Sequence, residues 1–166
     1  ELDIRKNIIE SGIIKQMVTL PSNMFTSVTL PATLWFFDKQ KPSTAKKDEI
    51  LFIDARNVFT QIDRAHRKFS KEQIKNLSII SRLYEGDTQA FKDLIEEYKN
   101  LMKLAPATAE GKNAKTKEYY QAQIDWLTER FPKGVYQDVI GLCKVAKLEG
   151  EDGIKDQDYS LNPGRY

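Results

Sequence analysis

Apolar positions recur along the chain at two different spacings, and the change from one to the other divides it. In "LDIRKNIIESG", Ile4, Ile8 and Ile9 fall on one helical face, and Gly12 follows where a left-handed C-terminal cap is needed. A short helix ending near Gly12 is predicted. Three β-branched and aromatic runs of strand length come next: "IIKQMVTL" (13–20), "ATLWFFDK" (32–39) and "EILFIDA" (49–55). A helix followed by three closely spaced strands makes an α/β piece. Trp35, Phe36 and Phe37 are consecutive in the second run, so both of its faces carry rings, the pattern of a buried strand in a covered sheet.

From Ser70 the spacing becomes helical. Ser70 and Gln73 have the separation of a capping box, and Ile74, Leu77, Ile80 and Leu83 mark one face until Gly86. Asp87 can cap a second helix, with Phe91, Leu94, Ile95, Tyr98, Leu101 and Met102 spaced by threes and fours up to Pro106. After the polar linker "PATAEGKNAKT", a third helix carries Tyr120, Ile124, Leu127 and Phe131, and Pro132 ends it. The second and third of these helices are expected to form an antiparallel hairpin. Val135, Val139, Ile140 and Val145 fit strand or helix equally, with Gly141 against a long helix. The acidic stretch that follows, and "SLNPGRY" after it, read as an exposed turn and an extended end. Three regions are therefore expected: 1–69, 70–132 and 133–166.

Charge changes this picture little. The 26 basic and 24 acidic residues nearly balance at +2, so any contact with nucleic acid is local. Two local concentrations stand out. Lys39, Lys41, Lys46 and Lys47 flank "PSTA" in an expected exposed basic turn, read either as a solvated loop or as a phosphate contact. Arg64, Arg67 and Lys68 surround His66 just before the first of the three later helices. One cysteine and one histidine exclude an internal disulfide and a zinc site of paired cysteines. No run approaches the roughly 20 apolar residues of a membrane span, and an intracellular, cytoplasmic protein with no membrane association is expected.

Catalytic chemistry finds little support in the residues themselves. The eight glycines include no Gly-x-Gly pair that would let a backbone approach a pyrophosphate or a cofactor ribose. Cys143 reads as a small buried hydrophobe, and His66 as part of a solvated basic approach to a helix, since neither has an evident catalytic partner. Phe25 is different. It lies among Pro21, Ser22, Asn23 and Thr26, residues that favour turns, so a large ring sits on a loop at the end of a strand. Such a ring either tucks into the core or stacks on a planar group, of which nucleic-acid bases are the commonest.

Three stretches carry a resemblance: "IRKNIIESGIIKQMVTLPSNMFTSVTLPATLWFFDK", "ILFIDARNVF" and "DYSLNPGRY". In this order they resemble the C-terminal part of the methylation (modification) subunit of type I restriction-modification systems, DNA adenine methyltransferases of the gamma arrangement. The most specific pieces are Leu-Pro-x-x-x-Phe at Leu20, Pro21 and Phe25, the "FIDARN" strand, and the terminal Leu161, Pro163, Gly164, Arg165 and Tyr166.

The resemblance implies the C-terminal part of a Rossmann-like methyltransferase sheet followed by a helical extension. It implies methylation of the exocyclic amino group of adenine in a bipartite DNA site, with S-adenosylmethionine as cofactor of the complete subunit. It also implies assembly with a DNA-specificity subunit and a restriction subunit, for which the helices of 70–132 are the candidate surface. The target-base loop would comprise Leu20, Pro21, Phe25 and Pro31, with Phe25 against one face of a flipped adenine. Residues 13–20 would be the sixth strand of the sheet, and 32–39 the antiparallel seventh strand that inserts beside the fifth. The chain lacks the Asn-Pro-Pro-aromatic motif and the glycine-rich cofactor loop, which lie upstream in this family. With the fifth strand also absent, one sheet edge and an apolar face would be left uncovered, and no cofactor or catalytic residue is expected in this chain alone. The competing expectation is a non-enzymatic helical scaffold module.

Overall fold

The computed structural model describes residues 2–111 and 114–166. Lys112 and Asn113, within the expected linker, lie outside the described residues. Two units are present: residues up to Phe69 together with Asp138–Tyr166, and Ser70–Gln137.

The first unit is a sheet. Helix α1 (Leu2–Glu10) precedes strands β1 (Ile14–Thr19), β2 (Thr33–Phe37) and β3 (Glu49–Asp54); a small hairpin, β4 (Thr60–Gln61) and β5 (Arg67–Lys68), follows. Strand β6 (Cys143–Lys147) enters from the far end of the chain. The sheet order is β2-β1-β3-β6, with β1 and β3 parallel and both outer pairings antiparallel. A parallel pair needs a crossover, and here β2 and a short turn of 3-10 helix at Lys41–Ser43 provide it. The core collects Ile9, Ile14, Met17, Ile50, Phe52, Ala146, Ile154 and Leu161.

Gly12 ends α1 at φ +75°, as the cap reading requires, and has a second task. A Cβ there would lie 2.9 Å from Lys47 Cγ and 3.1 Å from the Lys47 carbonyl oxygen, so glycine permits the close approach. The Lys41 ammonium bridges the same junction, donating to Gly12 O at 3.1 Å and Lys47 O at 2.9 Å. Lys41 is buried, which corrects the exposed basic turn at that position: its charge satisfies two carbonyls. Burial lowers its pKa from the ordinary lysine value, against the raising influence of Glu49, Asp48 and Asp38.

Three other expectations are corrected within this unit. Trp35, Phe36 and Phe37 are not core: among the described residues β2 is an edge strand paired with β1 alone, and Trp35 and Phe36 remain 42% exposed and Phe37 54%. A run of rings predicts burial only where both faces and both edges have neighbours. The end of the chain is packed rather than loosely extended: Ile154, Leu161 and Pro163 are buried, and the Tyr166 ring stacks on Phe52 at 4.3 Å. Asp138–Tyr166 accordingly belongs to the sheet unit and is no separate tail, because β6 pairs with β3.

The second unit comprises α2 (Lys71–Tyr84), α3 (Thr88–Leu104) and α4 (Lys117–Arg130). The Ser70–Gln73 capping box forms, and Asp87 accepts from the Ala90 amide at the start of α3. The buried face of α2 is not the predicted one at its start. Ile74 is 52% exposed, whereas Glu72 and Asn76 are buried. Polar partners explain the exchange. Tyr98 donates its hydroxyl to Asn76 Oδ1 at 2.7 Å, Asn76 Nδ2 donates to Gln123 Oε1 at 2.9 Å, and Glu72 accepts from Lys115 Nζ at 3.0 Å and Tyr119 OH at 2.9 Å. Burial alone would raise the Glu72 carboxyl, but these donors and a backbone amide outweigh it and hold the carboxyl below its ordinary range.

Candidate functional site

The segment between β1 and β2 is fastened at its base and open at its tip. The Leu20 amide donates to Ala32 O at 2.8 Å, Thr19 pairs with Thr33 across the strands, and Thr19 O accepts from the Ala55 amide at 2.9 Å. Leu20 and Pro21 are buried there, so this Leu-Pro anchors the loop. Beyond it, Asn23 takes a left-handed φ of +60°, a conformation Asn tolerates better than most residues. Phe25 and Val28 then bridge across a tight turn. Their side chains face outward, Phe25 at 50% exposed, as do Leu30 and Pro31. The core alternative for Phe25 is thus not the one adopted.

Pro31 also borders a cleft of about 630 Å³ between α1 and the sheet, whose other walls include Arg5, Thr19, Trp35, Arg56 and Leu161. Arg56 links this wall to the two other distinctive stretches. Its Nε and Nη2 grip Asp54 at 2.8 and 2.6 Å, and Nη2 lies 2.9 Å from where a Gly164 Cβ would stand. Burial alone would raise the Asp54 carboxyl, but the Arg56 side-chain and backbone hydrogen bonds outweigh it and leave the carboxyl below its ordinary range. "FIDARN" and "LNPGRY", far apart in sequence, therefore meet through Phe52 on Tyr166 and Arg56 on Gly164.

The lysine turn is not brought to the loop tip. Lys39, Lys46 and Lys47 follow the opposite end of β2 from Thr33, so the strand's five residues, about 17 Å, separate them from the loop base. What does reach the loop is the β4–β5 hairpin, absent from the sequence reading. The Arg67 amide donates to Asn23 O at 2.9 Å and its Nη1 to Ser22 Oγ at 2.9 Å. The signal was Asp63, whose carboxylate accepts from the amides of Ala65 and His66 at 2.8 and 2.9 Å, an Asx turn without the usual glycine. His66 is exposed on that turn, with Nδ1 at 2.8 Å from Asp63 Oδ2, and Cys143 is buried in β6. Among the described residues, no three His, Cys, Asp or Glu side chains cluster as a metal site.

Residues 1–100 match the family described as N-6 DNA methylase. The chain belongs to that family. The similarity extends to individual subunits of the N-6 DNA methylase family. The chain is 29% identical over all 166 residues to the type I restriction enzyme HindI methylase subunit of Haemophilus influenzae, of which it covers 26%. It is 39% identical over 86 residues to the type I restriction enzyme MjaIX methylase subunit of Methanocaldococcus jannaschii, covering 52% of this chain and 15% of that protein. The fold is like that of a type I restriction-modification methyltransferase subunit from Streptococcus thermophilus, at 18% identity and a TM-score of 0.53 over 99% of this chain and 22% of that one. This N-6 DNA methylase chain thus spans about a quarter or less of the length of these relatives.

The described residues do not fit S-adenosylmethionine. A Rossmann-like site needs a strand that runs through a glycine-rich turn into a helix, where backbone amides and helix N-terminus meet the ligand. Here β1 leads into the Phe25 loop, β2 into the Lys41 turn and β3 into the β4–β5 hairpin, β5 reaches α2 through Phe69 and Ser70 without a glycine, and the glycines after β6 lead into no α-helix. No helix of the described chain is long and apolar enough to cross a membrane.

Proposed function

We propose that this chain is the C-terminal portion of a type I adenine methylase subunit and that it supplies the loop that meets the target base. The observation carrying this reading is Phe25: a half-exposed ring at the tip of a loop whose base is hydrogen-bonded on both flanks. A paired adenine keeps its exocyclic amino group inside the duplex, so an enzyme acting on that group swings the base out and must offer it new stacking surface. Phe25 offers one face. The buried Leu20-Pro21 base holds the loop, and Pro31 redirects the chain into β2.

The methyl donor, S-adenosylmethionine, and the groups that position the amino nitrogen belong to the part of the complete subunit upstream of this chain. The isolated chain neither binds the cofactor nor transfers methyl groups in this reading. The exposed apolar β2 edge is where the upstream sheet would continue, since an edge strand with rings on both faces suits a further strand. DNA, a specificity subunit and a restriction subunit are the proposed partners, with Ser70–Gln137 as an assembly surface and Lys39, Lys46 and Lys47 as backbone contacts remote from the flipped base.

The test is Phe25→Ala in the complete subunit assembled with its specificity partner. Loss of base stacking worth about 1–3 kcal/mol should reduce methylation roughly five- to 150-fold. Unchanged methylation and unchanged flipping would favour the second reading, a helical scaffold module, for which the separate compactness of Ser70–Gln137 speaks.

A further inference from the structure

The β4–β5 hairpin has no role in the reading above, yet it makes specific contacts with the first half of the Phe25 loop. We infer that the hairpin is a strut for the target-base loop and that Arg67 is its positioning residue. Arg67 touches the loop twice, through its amide to Asn23 O and through its guanidinium to Ser22 Oγ, both at 2.9 Å. The guanidinium is itself fixed from two sides: its Nε donates to Gln61 Oε1 at 3.1 Å, and its Cζ lies over the Phe59 ring, 4.0 Å from the centroid. Gln61 is tied back across the hairpin, donating from Nε2 to His66 O at 3.2 Å, while the Ile62 amide donates to the same carbonyl at 3.0 Å.

The place of these contacts matters. Asn23 is the left-handed residue that turns the chain, and Phe25 follows two positions later. Fixing the Asn23 carbonyl and the Ser22 hydroxyl fixes the direction in which Phe25 leaves the anchored base. A ring that must meet a base gains from being held there beforehand, because ordering the loop at the moment of binding opposes the encounter. Arg suits this task better than Lys: a planar fork can bond Ser22 and Gln61 at once while stacking on Phe59.

This inference rests on Phe25 meeting the base, and the experiment separates the two. Arg67→Ala, Arg67→Lys, Ser22→Ala and Phe25→Ala are made in the complete subunit assembled with its specificity partner. Each is assayed for kcat, for KM towards DNA, for the salt dependence of DNA binding, and for fluorescence of 2-aminopurine placed at the target adenine. Arg67→Ala should lower kcat and the 2-aminopurine signal at saturating DNA, on the order of ten- to a hundredfold in kcat, with KM and salt slope near wild type. Arg67→Lys should restore part of the loss. Ser22→Ala, which removes only one acceptor, should move the same way by less and covers the case in which Arg67→Ala does not fold. If Phe25→Ala is impaired but Arg67→Ala and Ser22→Ala are not, the strut is wrong and the base-loop reading stands. A loss confined to KM and salt slope would make Arg67 a phosphate contact instead. If Phe25→Ala is silent, both ideas fall.

Discussion

β2 and β3 each carry four consecutive apolar residues, 34–37 and 50–53, yet one strand is an exposed edge and the other is the buried centre of the sheet. Ile50, Leu51, Phe52 and Ile53 are at most 3% exposed, because β1 and β6 flank them and the C-terminal segment folds over Phe52. Among the described residues, Leu34, Trp35, Phe36 and Phe37 have a paired strand on one side only. Composition measures what a strand could bury, whereas topology decides what it does bury. The same contrast separates the two sides of the sheet: the β3 side is braced by its own chain, and the β2 side is exposed.

The sharpest way to break this comparison is Phe52→Ala. Phe52 is 1% exposed, lies in the core and carries the Tyr166 stack, so truncation removes buried area and leaves a cavity under the terminal motif. A loss of about 3–5 kcal/mol in urea unfolding of the 166-residue chain is expected. Burial pushes the Tyr166 hydroxyl up to about 12, and releasing that ring should bring its titration, followed by ultraviolet absorbance, back towards 10.0.

That stack also shows what was legible in the sequence. Helical spacing revealed α1 and the later helices, because each repeats over enough residues to leave a period, and β-branched and aromatic runs revealed the first three strands. The Ser70 capping box was readable because it is local, whereas the turn-forming residues around Phe25 left the core and the outward placement of its ring both open. The rest depends on partners distant in sequence. β6 is no shorter than β2 but mixes lysines with apolar residues, so it does not declare itself until it pairs with β3. Glu72 and Asn76 look like exposed positions until Lys115, Tyr119, Tyr98 and Gln123 supply their hydrogen bonds. Lys41 looks solvated until the Gly12 and Lys47 carbonyls are found around it. The β4–β5 hairpin hides because Asp63, not an Asn-Gly pair, makes its turn.

A smaller effect separates the two sides by pH. At the end of β3 the Asp54 carboxylate is held below its ordinary value of 3.8 by Arg56, and β2 has no such pair. A depressed carboxyl contributes stability that is present above its unfolded value and is lost as pH falls through the folded one. Asp54→Asn should therefore destabilise the chain at pH 7, by about 1 kcal/mol given the half-exposed guanidinium. The gap between variant and wild type should close as pH falls below 3.8 in acid titrations of unfolding. A gap that persists unchanged at lower pH would show that Asp54 acts through packing and not through its charge.

The smallest expected effect lies on the β2 side. Phe37 is 54% exposed, its ring centroid lies 6.1 Å from that of Trp35, and among the described residues no strand lies beyond it. Phe37→Ser should change the unfolding free energy of the 166-residue chain by about 1 kcal/mol or less, because much of the ring is already in water. Its visible consequence should be in association instead. An unpaired edge with exposed rings invites pairing between copies, so the variant should sediment as a smaller species than wild type at high concentration. A cost approaching that of Phe52→Ala would mean that β2 is covered within its own chain and that the two strands do not differ in kind. A small cost here, joined to a large one for the same substitution in the complete subunit, would show that the cover for β2 is supplied by residues beyond this chain.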